Sequence, residues 1–236
     1  MSAVSTNGQA IASDRAEPVR EGPERSLRIT ETFFSLQGES SWVGLPTTFI
    51  RLTGCPLRCV YCDSEYAFHG GSRISFDSLI ETVKGNGSPY VCVTGGEPLA
   101  QPGVLRLLAE LCDSQFKVSL ETSGAIEIQD VDPRVKIVMD LKTPSSEEAS
   151  KNRLGNIAHL RAKDEVKFVI GDRKDFEFSV AMLEQELSMC QAEVLFSPIY
   201  NKLDPALLAE WILQAKLPVR FQMQMHKTIW GDTPGV

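Results

Sequence analysis

The sequence predicts an α/β fold assembled from parallel βα units, and three observations carry that reading. From residue 90 onward, short apolar segments alternate with segments of 3.6-residue periodicity. The short segments are continuously apolar, as in a sheet covered on both faces. Polar residues interrupt that pattern at the carboxyl ends of the strand-like segments, where parallel α/β proteins gather their chemistry.

Residues 1–26 mix small, polar, proline and charged types without periodicity and are expected to form a flexible extension, leaving a single domain over 27–236. Residues 27–36 are strand-like and end in the polar turn that holds Gln37, Gly38 and Glu39. Residues 47–52 are β-branched and apolar, a buried strand that runs into Gly54 and a cysteine-rich loop. Ser75 can cap a helix bearing Phe76, Leu79, Ile80 and Val83 on one face, and Gly85-Asn86-Gly87 stops it. Strands are expected at 90–93, 117–120, 135–139, 166–170 and 194–196, with helices at 101–113 and 176–189. Asp204 and Pro205 open a last helix carrying Leu207, Leu208, Trp211 and Ile212, and 219–224 is the final strand. The charged stretch 145–163 suggests no element.

At 236 residues, 42% hydrophobic and 23% charged, the chain is long enough for one well-filled domain. With 24 Lys+Arg against 31 Asp+Glu and a formal net charge of -7, it lacks the basic excess of a nucleic-acid binder. It has no apolar run of about 18 residues to span a membrane, and its start lacks the order of a signal peptide. Cytoplasm is the expected compartment. Cysteines there read as metal ligands or small buried hydrophobes; Cys92 and Cys112 fall in apolar segments and read as core, while Cys190 is unassigned.

Three of the six cysteines, Cys55, Cys59 and Cys62, form a CxxxCxxC loop. Soft thiolates at that density suit an iron-sulfur cluster or zinc, and a dedicated site takes four cysteines. Three on a four-iron cluster leave one iron open, which makes a reaction centre of it. A Cys3His zinc site with His69, or a cluster completed by Cys92 or Cys112, are the alternatives. Val93-Thr94-Gly95-Gly96-Glu97-Pro98 has an ordinary reading too, as a strand-to-helix turn in which Gly supplies positive φ and Pro98 opens the helix. Polar strand ends recur at 51–55, 94–97, 121–124, 140–142 and 197–198. Each alone fits a cap or a loop, and their coincidence favours a site.

The CxxxCxxC loop, with Tyr61 before its third cysteine, and the Gly-Gly-Glu-Pro run at 95–98 together resemble the radical S-adenosylmethionine (SAM) superfamily, in which the second motif holds the cofactor's amino group. That resemblance implies an incomplete, splayed (β/α) barrel of about six mostly parallel strands, partial TIM-barrel-like, for which the segment count is sufficient. Leu36-Gln37-Gly38-Glu39, Phe49-Ile50-Arg51-Leu52, Cys62-Asp63-Ser64, the run 165–170 and the ending Met225-His226-Lys227-Thr228-Ile229-Trp230-Gly231 resemble the 7-carboxy-7-deazaguanine synthase family across almost everything after residue 27.

This second resemblance implies a lyase of queuosine-type 7-deazapurine biosynthesis, converting 6-carboxy-5,6,7,8-tetrahydropterin to 7-carboxy-7-deazaguanine with loss of ammonia. Cys55, Cys59 and Cys62 would hold a 4Fe-4S cluster, S-adenosyl-L-methionine would chelate its open iron, and the 5′-deoxyadenosyl radical would take hydrogen from C6 of the pterin. Leu36, Gln37, Gly38, Arg51 and Thr94 would bind the substrate, Arg51 through its carboxylate. Tyr61, Cys62, Asp63, Gly96, Glu97, Glu121, Ser123, Asp140, Leu141 and Lys142 would surround the cofactor, and Ser64 would ligate Mg²⁺. A flavodoxin or ferredoxin-type electron donor and a homodimer are implied in the same way. The extension, 145–163 and the C-terminal 231–236 depart from the family pattern. In the family the chain end lies near the substrate; here it is given no role. A glycyl-radical enzyme activase, acting on a protein backbone, and a non-catalytic iron-sulfur or zinc module are the competing readings. The first lacks a use for Gln37, Arg51 and Thr94, and the second a use for Gly96.

Overall fold

The sheet begins as an antiparallel pair. Strand β1 (Ser26–Leu36) turns through residues 37–45 into β2 (Pro46–Leu52), with Phe33 opposite Phe49 and their rings stacked 4.7 Å apart. The short β3 (Ser72–Ser75) returns after the cysteine loop to the start of β1, also antiparallel. Every later strand joins in parallel: β4 (Tyr90–Gly95) on β2, then β5 (Lys117–Thr122), β6 (Lys136–Asp140), β7 (Glu165–Ile170), β8 (Glu193–Pro198) and β9 (Arg220–Phe221). The order β3-β1-β2-β4-β5-β6-β7-β8-β9 leaves both ends unjoined, so the sheet is open, as the sequence implies. The structure, a computed structural model, describes residues 25–233 and 235–236. The expected N-terminal extension lies outside them except for Arg25, which pairs with Asp77 and Glu110, and Ser26, which opens β1.

The described residues form nine strands where the resemblance implies about six. Eight of them fall on segments expected as strands, and the ninth, the four-residue β3 with no buried position, is too short for periodicity to announce. Helix α1 (Phe76–Asn86) follows its signals: the Ser75 hydroxyl accepts from the Ser78 amide, Gly87 at φ 72° ends it, and Phe76, Leu79 and Val83 are buried. Helix α2 (Val104–Asp113) starts later than expected, because Pro98–Ala100 forms a separate 3-10 turn and Gly103 at φ 93° breaks the chain between them. Helix α3 (Arg173–Gln185) starts earlier, since Asp172 accepts from the Asp175 amide as its cap, and α4 (Pro205–Ala215) follows Asp204 as anticipated. The expected strand over 219–224 gives way after Phe221 to a short helix, α5 (Met225–Trp230). The core lies between sheet and helices around Phe76, Phe168, Phe196, Ile50 and Leu52, all fully buried.

The stretch 145–163 packs as short 3-10 turns over the ends of β5 and β6 and is held by two asparagines. The Asn152 side chain accepts from the Lys142 amide at 2.8 Å and donates to the Lys142 carbonyl at 2.9 Å. Asn156 is 1% exposed; its amide donates to the Gly124 and Ile126 carbonyls and accepts from the Ile128 amide. Asn156→Ala strands three backbone groups, two of them in buried hydrogen bonds, and is expected to cost about 2–3 kcal/mol in urea unfolding. A loss below about 0.5 kcal/mol would mean that water replaces the amide.

Candidate active site

Parallel pairing of β2 and β4 brings the two motifs together. Arg51 is opposite Thr94 and Leu52 opposite Gly95, so the cysteine loop that follows β2 meets the Gly-Gly-Glu-Pro turn that follows β4. The Gly96 amide donates to the Leu52 carbonyl (3.2 Å) and the Glu97 amide to the Gly54 carbonyl (2.8 Å). Glycine is required at this contact. A Cβ on Gly96 would lie 2.2 Å from the Gly54 oxygen and 2.9 Å from the Cys55 Cβ, closer than real atoms approach.

Cys55, Cys59 and Cys62 are half-buried, free of disulfides, and face a cavity of about 520 Å³ at the carboxyl ends of the strands, a volume usual for small-molecule sites. Among the described residues no three His, Cys, Asp or Glu side chains converge as a single metal ion requires. Three thiolates on one loop suit a cubane cluster that keeps one iron open, whereas a structural zinc site takes four protein ligands. Burial pushes all three thiols up, Cys59 to about 11, so their ionisation depends on a metal's charge.

Three polar groups line the cavity. At one wall the Thr94 hydroxyl donates to Glu121 Oε2 (2.9 Å) and the Gln37 amide reaches Oε1 (3.4 Å). At the second, Arg51 Nε donates to Glu31 Oε1 (2.7 Å), which also accepts from the Tyr66 hydroxyl, and the guanidinium lies 5.8 Å from the Phe33 and Tyr66 ring centroids. The third is a largely enclosed charge chain: Lys142 to Asp140 at 3.1 Å, Asp140 to Lys167 at 3.6 Å, Lys167 to Glu39 at 2.6 Å. Burial would lower the Lys167 ammonium, but Glu39 and Asp140 hold it well above its usual value. Asp140 Oδ1 is buried without a protein partner, an acceptor that a ligand's hydroxyl or ammonium can satisfy. Burial also pushes the Tyr61 phenol up to about 12, so it stays a neutral donor.

Most residues expected in the site line this cavity: Leu36, Gln37, Gly38, Arg51, Tyr61, Asp63, Ser64, Thr94, Gly96, Glu121, Ser123, Asp140 and Lys142, with the cysteines. Three expected positions turn their side chains away from the cavity. Glu97 is fully buried, and its carboxylate accepts from the Thr122 hydroxyl, the Ser123 amide and hydroxyl and the Leu99 amide. Its side chain therefore braces the turn, and the motif offers the cavity its glycine backbone. The Leu141 side chain is fully buried in the core, which leaves its backbone to face the site. Ser197 and Pro198 are buried as well and leave that strand end to Ile199 and Tyr200.

Sequence reasoning assigned no role to Glu31, Tyr66, Lys167 or Gln224, which hold or extend the polar groups above. Lys167 did leave a signal, a lysine inside the apolar strand Glu165–Ile170; a buried lysine needs a partner.

The sequence pattern described as the Radical SAM superfamily matches residues 49–163. The 7-carboxy-7-deazaguanine synthase of Chlorobaculum tepidum is 40% identical over 90% of this chain and 99% of its own. That of Koribacter versatilis is 42% identical over 89% of this chain and 100% of its own. The crystal structure of QueE from Escherichia coli superposes with a TM-score of 0.71 at 25% identity, covering 85% of this chain and 95% of that one. Similarity over nearly the full length of these relatives, with both motifs meeting in one cavity, shows that the chain belongs to the 7-carboxy-7-deazaguanine synthase family of radical SAM enzymes.

Proposed function

We propose that the chain converts 6-carboxy-5,6,7,8-tetrahydropterin to 7-carboxy-7-deazaguanine with loss of ammonia, as a carbon-nitrogen lyase of queuosine-type biosynthesis. The observation that carries this reading is one cavity shared by a three-cysteine loop, Arg51 and the hydrogen-bonded set Gln37, Thr94 and Glu121. An acidic heterocycle needs that combination. Arg51 has its Nε engaged by Glu31, which leaves the two terminal nitrogens for a bidentate carboxylate. Gln37, Thr94 and Glu121 present amide, hydroxyl and carboxylate groups suited to the donor-acceptor edge of a pterin, between Leu36 and Gly38.

When bound, a 4Fe-4S cluster on Cys55, Cys59 and Cys62 with S-adenosyl-L-methionine supplies the one-electron chemistry that generates a 5′-deoxyadenosyl radical. The chain's own residues orient and enclose. The Gly95-Gly96 backbone permits close approach of the cofactor's methionine end, the free oxygen of Asp140 suits a hydroxyl or ammonium, and Tyr61, Asp63, Ser123 and Lys142 flank the same space. Glu121, bonded to two substrate-side residues, falls on the substrate side of the cavity in this reading. Ser64 offers one hydroxyl oxygen for Mg²⁺, which keeps waters and readily takes a substrate carboxylate beside them. A flavodoxin or ferredoxin-type donor, a homodimer and a cytoplasmic location complete the proposal.

The deciding experiment is anaerobic. Protein reconstituted with iron and sulfide, reduced, and given S-adenosylmethionine, Mg²⁺ and the carboxytetrahydropterin is expected to form 7-carboxy-7-deazaguanine by mass spectrometry, and Cys59→Ala to form none. Release of 5′-deoxyadenosine without pterin conversion would leave the superfamily standing and reject the substrate.

A further inference from the structure

The C-terminal helix closes one wall of the cavity without a core of its own. None of the six residues of α5 is buried, yet His226, Lys227 and the tail residues Gly231, Thr233 and Val236 line the cavity. Its attachments are polar. The Met225 amide donates to the Gly38 carbonyl at 3.0 Å, and the Gln224 amide donates to Glu39 at 2.8 Å and reaches Asp63 at 3.5 Å. His226 packs so closely on Gly38 that a Cβ there would lie 2.0 Å from its Nδ1.

The attachment to the cluster-binding loop runs through Lys227. Its Nζ lies 2.9 Å from Asp63 Oδ2 and 5.4 Å from the centroid of the Tyr200 ring, and the side chain is 12% exposed. Asp63 follows Cys62 directly, and its other oxygen accepts from the Ser64 hydroxyl at 2.9 Å. Asp232, 3.9 Å from Lys227, is the other carboxylate near the ammonium. The Asp63 side chain is itself 49% exposed, so the pair is enclosed on the lysine's side. A lysine mostly buried over an aromatic ring has fewer rotamers to lose on pairing than one in open solvent.

We infer that Lys227 is a positioning residue: through Asp63 it locks α5 onto the loop that carries Cys62, so the C-terminal wall of the cavity is set where that loop is folded. The inference rests on the proposed site only for the identity of the enclosed substrate. Cluster loop, Ser64 hydroxyl and C-terminal wall then move as one body, with a single carboxylate as their joint.

The test compares full-length, cluster-loaded wild type with Lys227→Met and Lys227→Arg by hydrogen exchange over peptides covering 222–236. Exchange is expected to be at least about tenfold faster in Lys227→Met, with most of the protection restored in Lys227→Arg and the iron content of both equal to wild type. Asp63→Ala is expected to release the helix to the same extent, and the double variant Asp63→Ala/Lys227→Met no further than either single change. In turnover, Lys227→Met is expected to raise KM for the carboxytetrahydropterin about tenfold with kcat within about threefold. Unchanged exchange in Lys227→Met overturns the inference, and so does iron loss in that variant, since the lysine would then serve the loop alone. Faster exchange in protein that does not turn over the pterin supports the latch and rejects the substrate.

Discussion

Gly96→Val is expected to cut kcat/KM at least a hundredfold and to lower cluster loading with it. The replaced hydrogen points at backbone: the Gly54 carbonyl oxygen would stand 2.2 Å from the new Cβ, and Cys55 begins the cluster loop immediately after. A flexible side chain could swing away from such a contact, but a carbonyl held by the Glu97 amide cannot move without opening the loop. A hundredfold corresponds to about 2.7 kcal/mol of lost transition-state stabilisation, within what overpacking of this kind costs. Strands β2 and β4 pair up to Gly95, before the clash, so far-UV circular dichroism is expected to stay unchanged. Gly85 supplies the contrast. It lies in α1 with nothing within 4 Å of its Cβ position, and Gly85→Ala is expected to stabilise the protein by about 0.5–1 kcal/mol. Normal iron content and turnover in Gly96→Val would show that the two motif loops do not depend on their contact.

What the sequence made legible follows from how local each signal is. The parallel strands announced themselves by continuous apolar runs, and α1 and α4 by a cap at one end and apolar spacing within. The cysteine loop and the glycine turn are each contiguous, so both could be named from residue types alone. Orientation was not legible. Glu97 stands in the turn as a ligand-facing carboxylate would, and only the structure turns it inward onto Thr122 and Ser123. Contacts between distant residues were equally hidden: Lys167 and Glu39 are 128 positions apart, and no period links them. Helix α5 left no apolar stripe, because none of its residues is buried. The charged stretch 145–163 gave no periodicity because its order comes from the side chains of Asn152 and Asn156 bonding to backbone.

Lys167→Met is expected to destabilise the folded chain by about 3 kcal/mol at pH 7.5, as breaking one side of a buried ion pair does. The lysine and Glu39 are each 13% exposed and 2.6 Å apart, and Asp140 stands 3.6 Å from the same ammonium. Methionine fills the space and removes the charge. Glu39 then keeps only Gln224, and Asp140 keeps Lys142. The loss carries a pH signature. Burial would raise the Glu39 carboxyl, but Lys167 pulls it below the usual glutamate range. In the wild type its ionised form therefore stabilises the fold at neutral pH, and that contribution fades only as pH falls through the depressed value. In Lys167→Met burial is opposed only by His226 and the Gln224 hydrogen bond, so the same carboxyl rises relative to the wild type and the variant loses less stability than the wild type as pH drops. The gap between the two proteins is thus widest near pH 7.5 and narrows toward pH 5. Urea unfolding at both pH values reads it directly. A gap of constant size would assign the cost to lost packing and leave Glu39 out of it. Because Glu39 shares its turn with Gln37 and Gly38 and accepts from Gln224 just before α5, the same variant is expected to raise KM for the substrate more than it lowers kcat.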